Sequence, residues 1–501
     1  MRPTNRFFAT LLPFLILLGL APITPTQAAP AAAEQDPYPA VTAAVAQRVK
    51  ALNLPGASLV IVEGDQIVHA QGFGKTNPSP QTPFFIGSLT KSITALAVMQ
   101  FVEADKITLD TPVQNYLPWF TLADENAAGQ ITIRHLLNQT SGIPQMPGML
   151  SLANFDQDPG AVEAQARALA DLTLTRPVGS AWEYSNVNFN LLGLVIEAVS
   201  GKSYTDYVQE AIFFPLEMTH SHAAKSAARQ DGLALGHQLW FGFPIPVPDL
   251  PVPLGSLPSG QLIASAEDLG RYLIALLNDG RYGDTQILSP ESIAALHNPG
   301  AEVNLMGLAK ENYGMGWFIK ETPQGKLIYH YGEVPDYFAF AGLLPDQARG
   351  FVLLVNGNHH LTTTALNALG EDIAALLGGG DEKGEAWGIL PWVLRALLLL
   401  PIGQGVAMVL GARRLRRWER TPERLPKPFA FWVWGIAVPT AVNLLLMAIP
   451  VALLAFGLVP FSLLFMGDIT MVLLLSGALA LVWLCLRTPR ALGAHRRRKT
   501  P

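Results

Sequence analysis

Near the N-terminus, "GASLVIVEGDQIVHAQGFG" alternates apolar and polar residues across a turn at Glu63–Asp65. A period of two on both sides of a short turn predicts a β-hairpin. The stretches around it have a different period. "AVTAAVAQRVKAL" reads as a helix, and so do residues 88–104, where Leu89, Ile93, Leu96, Ala97 and Phe101 recur at helical spacing. Residues 187–200, "VNFNLLGLVIEAVS", give another helix, stopped by Gly201. Strand patterns return late in the chain: "YGMGWFIK", "KLIYHYG", "YFAFAGLLP" and "GFVLLVNGN" are short apolar runs between polar turns. A final helix is predicted over 363–377. The hairpin and the four late runs together predict an α+β domain over 36–378. Its antiparallel sheet draws strands from both chain ends, helices flank it, and a helical insert separates the halves. The proline-rich "FGFPIPVPDLPVPLG" at 241–255 predicts a stiff loop, since proline supplies no ladder N–H.

Both ends of the 501-residue chain break this pattern with long apolar runs. Residues 430–457 carry no charge, 461–486 carry only Asp468, and 388–411 carry only Arg395, placed to snorkel. Each is long enough to cross a hydrocarbon core of about 30 Å as a helix. The expectation is a three-helix transmembrane region over 388–486, with a surface-lying amphipathic helix as the alternative for 388–411. At the other end, Arg2 and Arg6 precede an apolar run from Phe7 to Leu20, and small residues follow around Thr26–Ala28. That predicts a secretory signal over 1–28, cleaved or kept as an anchor.

Charge orients these segments. "RRLRRWERTPERLPK" carries seven basic residues against two acidic, and "RTPRALGAHRRRK" carries six basic residues. The positive-inside rule puts both on the cytoplasmic side, the second as a basic tail over 487–501. Three crossings then leave the 36–378 domain outside the cell membrane. Without its ends the chain is strongly acidic, which argues against nucleic acid as a partner and assigns the basic segments to membrane lipid. The one cysteine, Cys485, falls in the last membrane run, so the exported domain has neither disulfide nor thiol chemistry.

The candidate chemistry starts in "FFIGSLTKSITALAVMQFVE" at 84–103. Ser88 and Lys91 are three apart and share one helix face. A lysine can take a serine proton only when burial or a cationic neighbour loosens its own. The apolar run beyond Lys91 supplies burial. The plain reading is that Ser88 is a helix cap. In "WEYSNVNFNLLG", Tyr184 and Asn186 sit two apart in a turn, where a phenol can relay a proton and an amide can hold a carbonyl. In "YHYGE", His330 and Gly332 lie on a strand edge; the glycine admits a substrate backbone, and the next N–H can meet an oxyanion. The plain readings are a half-buried aromatic for Tyr184 and an exposed strand residue for His330. There is no Gly-x-Ser-x-Gly elbow, His-Glu-x-x-His pair, phosphate loop or dinucleotide fingerprint.

These blocks resemble the serine β-lactamase-related family, which includes class C β-lactamases, penicillin-binding D-Ala-D-Ala carboxypeptidases, D-amino-acid peptidases and related esterases. "FFIGSLTKSITALAVMQ", "YSN" and "HYG" match its three motifs in order, and "ITIRHLLNQTSGIP" and "PSGQLIASAEDLGRYL" resemble two accessory signatures. The resemblance covers about 40–370. It implies Ser88 as nucleophile, Lys91 and Tyr184 as the groups that take its proton, and the N–H groups of Ser88 and Glu333 as oxyanion donors. Asn186 would orient the substrate, with His330 assisting through hydrogen bonding or charge beside Gly332. No metal or organic cofactor is implied. The expected substrate is a cell-envelope amide or ester, with a catalytically silent binding module and a β-lactamase as alternatives. Two positions depart from the family. His330 stands where class C β-lactamases carry lysine, and Asp336 stands where glycine is frequent. Asp336 is expected to narrow the site or repel an anionic substrate. A transporter is disfavoured because Asp468 stands alone in the sequence of its helix.

Overall fold

The predicted hairpin forms β1 (Gly56–Glu63) and β2 (Gln66–Gly74). In the computed structural model, which describes residues 36–304, 310–383 and 387–499, the two strands join others from the far end of the domain. These are β3 (Ala301–Asn304), β4 (Lys310–Gly314), β5 (Trp317–Thr322), β6 (Gly325–Val334), β7 (Tyr337–Leu344) and β8 (Arg349–Val355). They build an eight-stranded antiparallel sheet in the order β2-β1-β8-β7-β6-β5-β4-β3. β1 pairs with β8, Leu59 facing Leu353, so the two chain ends meet within the sheet. The expected signal segment lies outside the described residues.

Two strand expectations are corrected. "YGMGWFIK" is not one strand but the end of β4, a turn and most of β5. Met315 and Gly316 turn the chain with φ of 27° and 91°, and glycine suits the second. β3 was not anticipated, because the alternation in "AEVN" spans only four residues, too short to stand out. The proline-rich segment is also less irregular than expected. Phe243–Pro246 pairs with His237–Trp240 in a two-stranded ribbon, where both strands are edges and proline is tolerated.

Both faces of the sheet are covered, so its central strands are apolar throughout rather than alternating. On one face Leu59, Ile61, Phe338, Phe340 and Leu353 pack with α1 (Pro39–Ala51) and the final helix (His360–Leu377). A buried Arg48–Asp372 pair, 3.2 Å apart, ties those two helices together. On the other face Val60, Val62, Ala339, Val352 and Leu354 meet α2 (Thr90–Glu103), α3 (Asn186–Ser200) and α4 (Ala266–Leu277). Every residue of α2 from Thr90 to Met99 is buried. It is therefore a core helix with no wet face, and this dries the lysine it carries. α3 ends where Gly201 adopts φ 71°.

After α5 (His360–Leu377) come three helices, at 387–420, 428–455 and 467–498, that are long and apolar enough to cross a membrane. Two of their boundaries differ from the sequence reading. The first continues through "RRLRRWER", because arginine is a good helix former. The third begins at Gly467 as α6 (Gly467–Lys499), and Val459–Phe465 is a separate short helix before it.

Candidate active site

Gly87 sets the nucleophile position. It adopts φ 53°, and a Cβ there would lie 2.5 Å from the Glu333 backbone nitrogen. A Cβ on Gly332 would collide with the Ile86 carbonyl and lie 3.0 Å from the Ser88 nitrogen. Two glycines thus let β6 press against the turn at Gly87–Leu89, bringing the backbone nitrogens of Ser88 and Glu333 together. Ser88 makes no side-chain cap hydrogen bond, so the helix-cap reading does not hold.

Lys91 is fully buried one turn further on. Its Nζ lies 3.0 Å from Ser88 Oγ, 2.8 Å from Asn186 Oδ1 and 2.6 Å from the Ser259 carbonyl oxygen. All three partners are neutral and none is a carboxylate. Burial without a counter-charge holds the amine well below the usual lysine range. A neutral amine has two N–H bonds and one lone pair. If the N–H bonds serve Asn186 and Ser259, the lone pair faces the Ser88 hydroxyl.

The Tyr184 hydroxyl donates to Ser88 Oγ from the other side, at 2.8 Å. Burial pushes the phenol far above the ordinary tyrosine range, against a smaller opposing effect from that hydrogen bond. The resting phenol is thus a donor, which revises the expectation that Lys91 and Tyr184 share the base's task. Tyr184 is half-buried, as its plain reading had it, but it is more than a packing aromatic. Its ring is one wall of the lysine pocket, 4.8 Å from Nζ, with the Phe189 ring at 5.7 Å.

Asn186 opens α3. Its Oδ1 accepts from Lys91, and its Nδ2 donates to the Gly148 carbonyl at 3.2 Å. The amide therefore holds the lysine first, with one N–H left for a substrate. His330 is buried, not exposed. Burial pushes it down to about 3. Its Nδ1 donates to the Tyr331 carbonyl at 2.6 Å, and its Nε2 lies 3.4 Å from the Tyr313 hydroxyl. A neutral imidazole supplies no charge, so only the hydrogen-bonding half of the expectation for His330 stands.

Asp336 is also turned inward. It is 7% exposed, and burial raises it to about 7 against a smaller lowering by Lys225. Its carboxyl packs so tightly on Gly236 that a Cβ there would collide with it. It is neither a projecting bulk nor a full anion at neutral pH, contrary to expectation.

Three groups were missed in the sequence. The Ser259 carbonyl lies inside the quoted "PSGQLIASAEDLGRYL", but a backbone acceptor leaves no residue-type signal. Tyr313 stands behind His330. His360 Nδ1 lies 2.9 Å from Glu333 Oε1, and that hydrogen bond raises the imidazole despite its partial burial. Among the described residues no three His, Cys, Asp or Glu side chains converge as a metal site.

This arrangement belongs to a fold with known relatives. The β-lactamase family model matches residues 41–375, and the chain belongs to that family of serine hydrolases. Protein flp of Staphylococcus aureus (strain COL) is 28% identical over 422 residues, covering 80% of each chain. Penicillin-binding protein 4 of Amycolatopsis lactamdurans is 30% identical over 319 residues, covering 61% of this chain and 81% of that one. The octameric penicillin-binding protein homologue from Pyrococcus abyssi superposes with a TM-score of 0.61 at 29% identity, over 69% of this chain and 78% of that chain.

Proposed function

We propose that this protein is an exported, membrane-anchored serine hydrolase. It cleaves an amide or ester of the cell envelope, one containing a D-amino acid, through a Ser88 acyl-enzyme. One observation carries this reading: a buried amine with no counter-charge lies 3.0 Å from Ser88 Oγ, and a phenol donates to the same oxygen.

The Lys91 lone pair takes the Ser88 proton as Oγ bonds to the substrate carbonyl carbon. The carbonyl oxygen gains the charge and is met by the N–H groups of Ser88 and Glu333. Lys91 is now an ammonium held by Asn186 and Ser259. Tyr184 passes its proton to the leaving nitrogen or oxygen and regains one from Lys91, so the proton lost by Ser88 departs with the leaving group. Water then adds to the acyl-enzyme, Lys91 again takes the proton, and Ser88 is restored by the return of that proton. His330 links β6 to the Tyr313 hydroxyl on β4 as a neutral hydrogen-bonding group.

The envelope assignment rests on location. Three membrane-length helices follow the domain, and the charge pattern directs the domain outward. The penicillin-binding names of two relatives support a D-amino-acid substrate. The neutral imidazole at 330 removes the fixed cation expected for efficient β-lactam turnover, which favours an amidase or esterase over a β-lactamase. The connected Ser88–Lys91–Tyr184 set disfavours a silent binding module.

A fluorophosphonate and a labelled penicillin test the reading on wild type and Ser88→Ala. Label on Ser88 that vanishes in the variant is the expected result; equal label on both would defeat the nucleophile assignment. A panel of p-nitrophenyl esters, nitrocefin and D-amino-acid peptides then separates the substrate classes.

A further inference from the structure

The segment between the last two membrane-length helices is fastened to the hydrolase domain. Gln238 Nε2 donates to the Leu464 carbonyl at 2.9 Å. The Phe241 N–H donates to Asp468 Oδ2 at 2.7 Å, and His359 Nε2 lies 2.9 Å from Asp468 Oδ1. Gly467 lies against the Trp240 ring so closely that a Cβ would stand 2.6 Å from it. Asp468 is fully buried and His359 nearly so. Asp468 therefore does not stand alone, as its helix sequence suggested. It is the point where a membrane helix locks onto the domain.

This fastening completes a cavity of about 130 Å³. Leu464 and Phe465, from the segment between the helices, form one wall. Val334 and Tyr337 form another, and Phe85 and Gln261 also line it. Three of these four border the serine site along the chain. Val334 follows Glu333, Phe85 lies three residues before Ser88, and Gln261 follows Gly260, whose ideal Cβ would lie 3.9 Å from the Ser88 nitrogen. The cations lining the cavity are already paired, mostly with its own wall. Lys225 donates to the Leu250 carbonyl, and Arg229 donates to the Pro248 carbonyl and to Asp249. The other polar groups in the lining are Asp336, whose carboxyl packs on Gly236, Gln261, and Tyr337, whose hydroxyl donates to the Ala234 carbonyl; the rest of the lining is mostly apolar. An apolar cavity of about 150 Å³ stays dry and accepts benzene, so this one suits an apolar group of about five or six carbons. The segment that walls it joins two helices long enough to span a bilayer, so the cavity lies beside the membrane-length helices.

We propose that this cavity holds an apolar substituent on the acyl part of an amphiphilic substrate, which the enzyme takes at the bilayer surface. The proposal rests on the serine-hydrolase reading above and narrows its substrate class. The envelope ester or amide then carries a short apolar group beside its scissile carbonyl, and the membrane segment takes part in recognising it.

The test uses the full chain in lipid nanodiscs and p-nitrophenyl acetate, butyrate, hexanoate and decanoate. In wild type, kcat/KM should rise at least about tenfold from acetate to hexanoate. Leu464→Trp, which fills the cavity, should cut that ratio to about twofold or less. Phe465→Ala, which enlarges it, should move the optimum to a longer chain, and this decides the matter if the tryptophan variant does not fold. A flat wild-type series, or an unchanged ratio and optimum in the folded variants, overturns the proposal. Fluorophosphonate labelling of wild-type Ser88 separates the two levels. Labelling with a flat series sinks the cavity assignment alone, whereas no labelling sinks the hydrolase reading and the cavity assignment with it.

Discussion

Lys91 and Asp468 are both fully buried ionisable groups, and their surroundings are opposite in kind. Lys91 is ringed by oxygens: a hydroxyl, an amide and a carbonyl, with no carboxylate. Asp468 is ringed by N–H groups from His359, Phe241 and Ile469. A cation denied a counter-charge gives up its proton, and the resulting amine can act as a base. A carboxylate surrounded by N–H donors is satisfied and becomes a fastener. The difference teaches that burial alone does not mark a catalytic group. The sign of the partners decides whether a buried charge does chemistry or holds parts together.

The largest effects should come from breaking the lysine side of this comparison. Lys91→Ala should lower kcat about 10³-fold, within the range for loss of a general base. Lys91→Arg should be as poor, because a guanidinium keeps its proton. Steady-state kinetics on one ester checks both, and an arginine variant with near wild-type turnover would show that charge rather than a lone pair is needed. Tyr184→Phe removes the donor but keeps the ring; kcat should fall about 10²-fold with KM within about threefold. The pH profile sharpens the same point. A protonated Lys91 has no lone pair, so kcat/KM should fall tenfold per unit as pH drops below its lowered pKa and hold level above it. A profile that rises only near pH 10 would show an ordinary lysine.

Breaking the Asp468 side should instead cost stability. Asp468→Ala leaves the His359 and Phe241 N–H groups buried without their acceptor, at about 2–4 kcal/mol. A lower Tm in detergent checks it, and an unchanged Tm would mean that the junction is not a fastener. The smallest effect concerns Asp336, which has neither kind of ring. The folded carboxyl keeps its proton up to about pH 7, whereas the unfolded one releases it near 3.8. The native state binds the extra proton between these values, so wild type loses stability as pH rises through them. Asp336→Asn should remove that slope and stabilise the fold at pH 8, with little change near pH 4. Parallel melting curves for the two proteins would refute this.

Ser88, Lys91, Tyr184 and Asn186 were legible because each lies in a local motif, and the structure brings all four within hydrogen-bonding reach. The Gly332–Glu333 edge was legible for the same reason. The Ser259 carbonyl was not, since a main-chain oxygen has no residue type to read. The inward turn of Asp336 and the neutrality of His330 were not legible either, because both depend on what packs around them. The same holds for the split of "YGMGWFIK" into two strands, which follows from a turn at Met315–Gly316 that apolar content conceals.

Taken alone, the amino-acid order determined the α+β class, the apolar membrane-length runs, the charge bias of their flanks and the residues able to act as nucleophile and base. Those are properties of spacing and composition, carried by neighbours along the chain. Tertiary structure decided that the Lys91 amine is dry, that Tyr184 donates, that His330 is uncharged and that Asp468 reaches His359. Each of these depends on groups tens to hundreds of residues away, whose dielectric and hydrogen bonds exist only once the chain has packed.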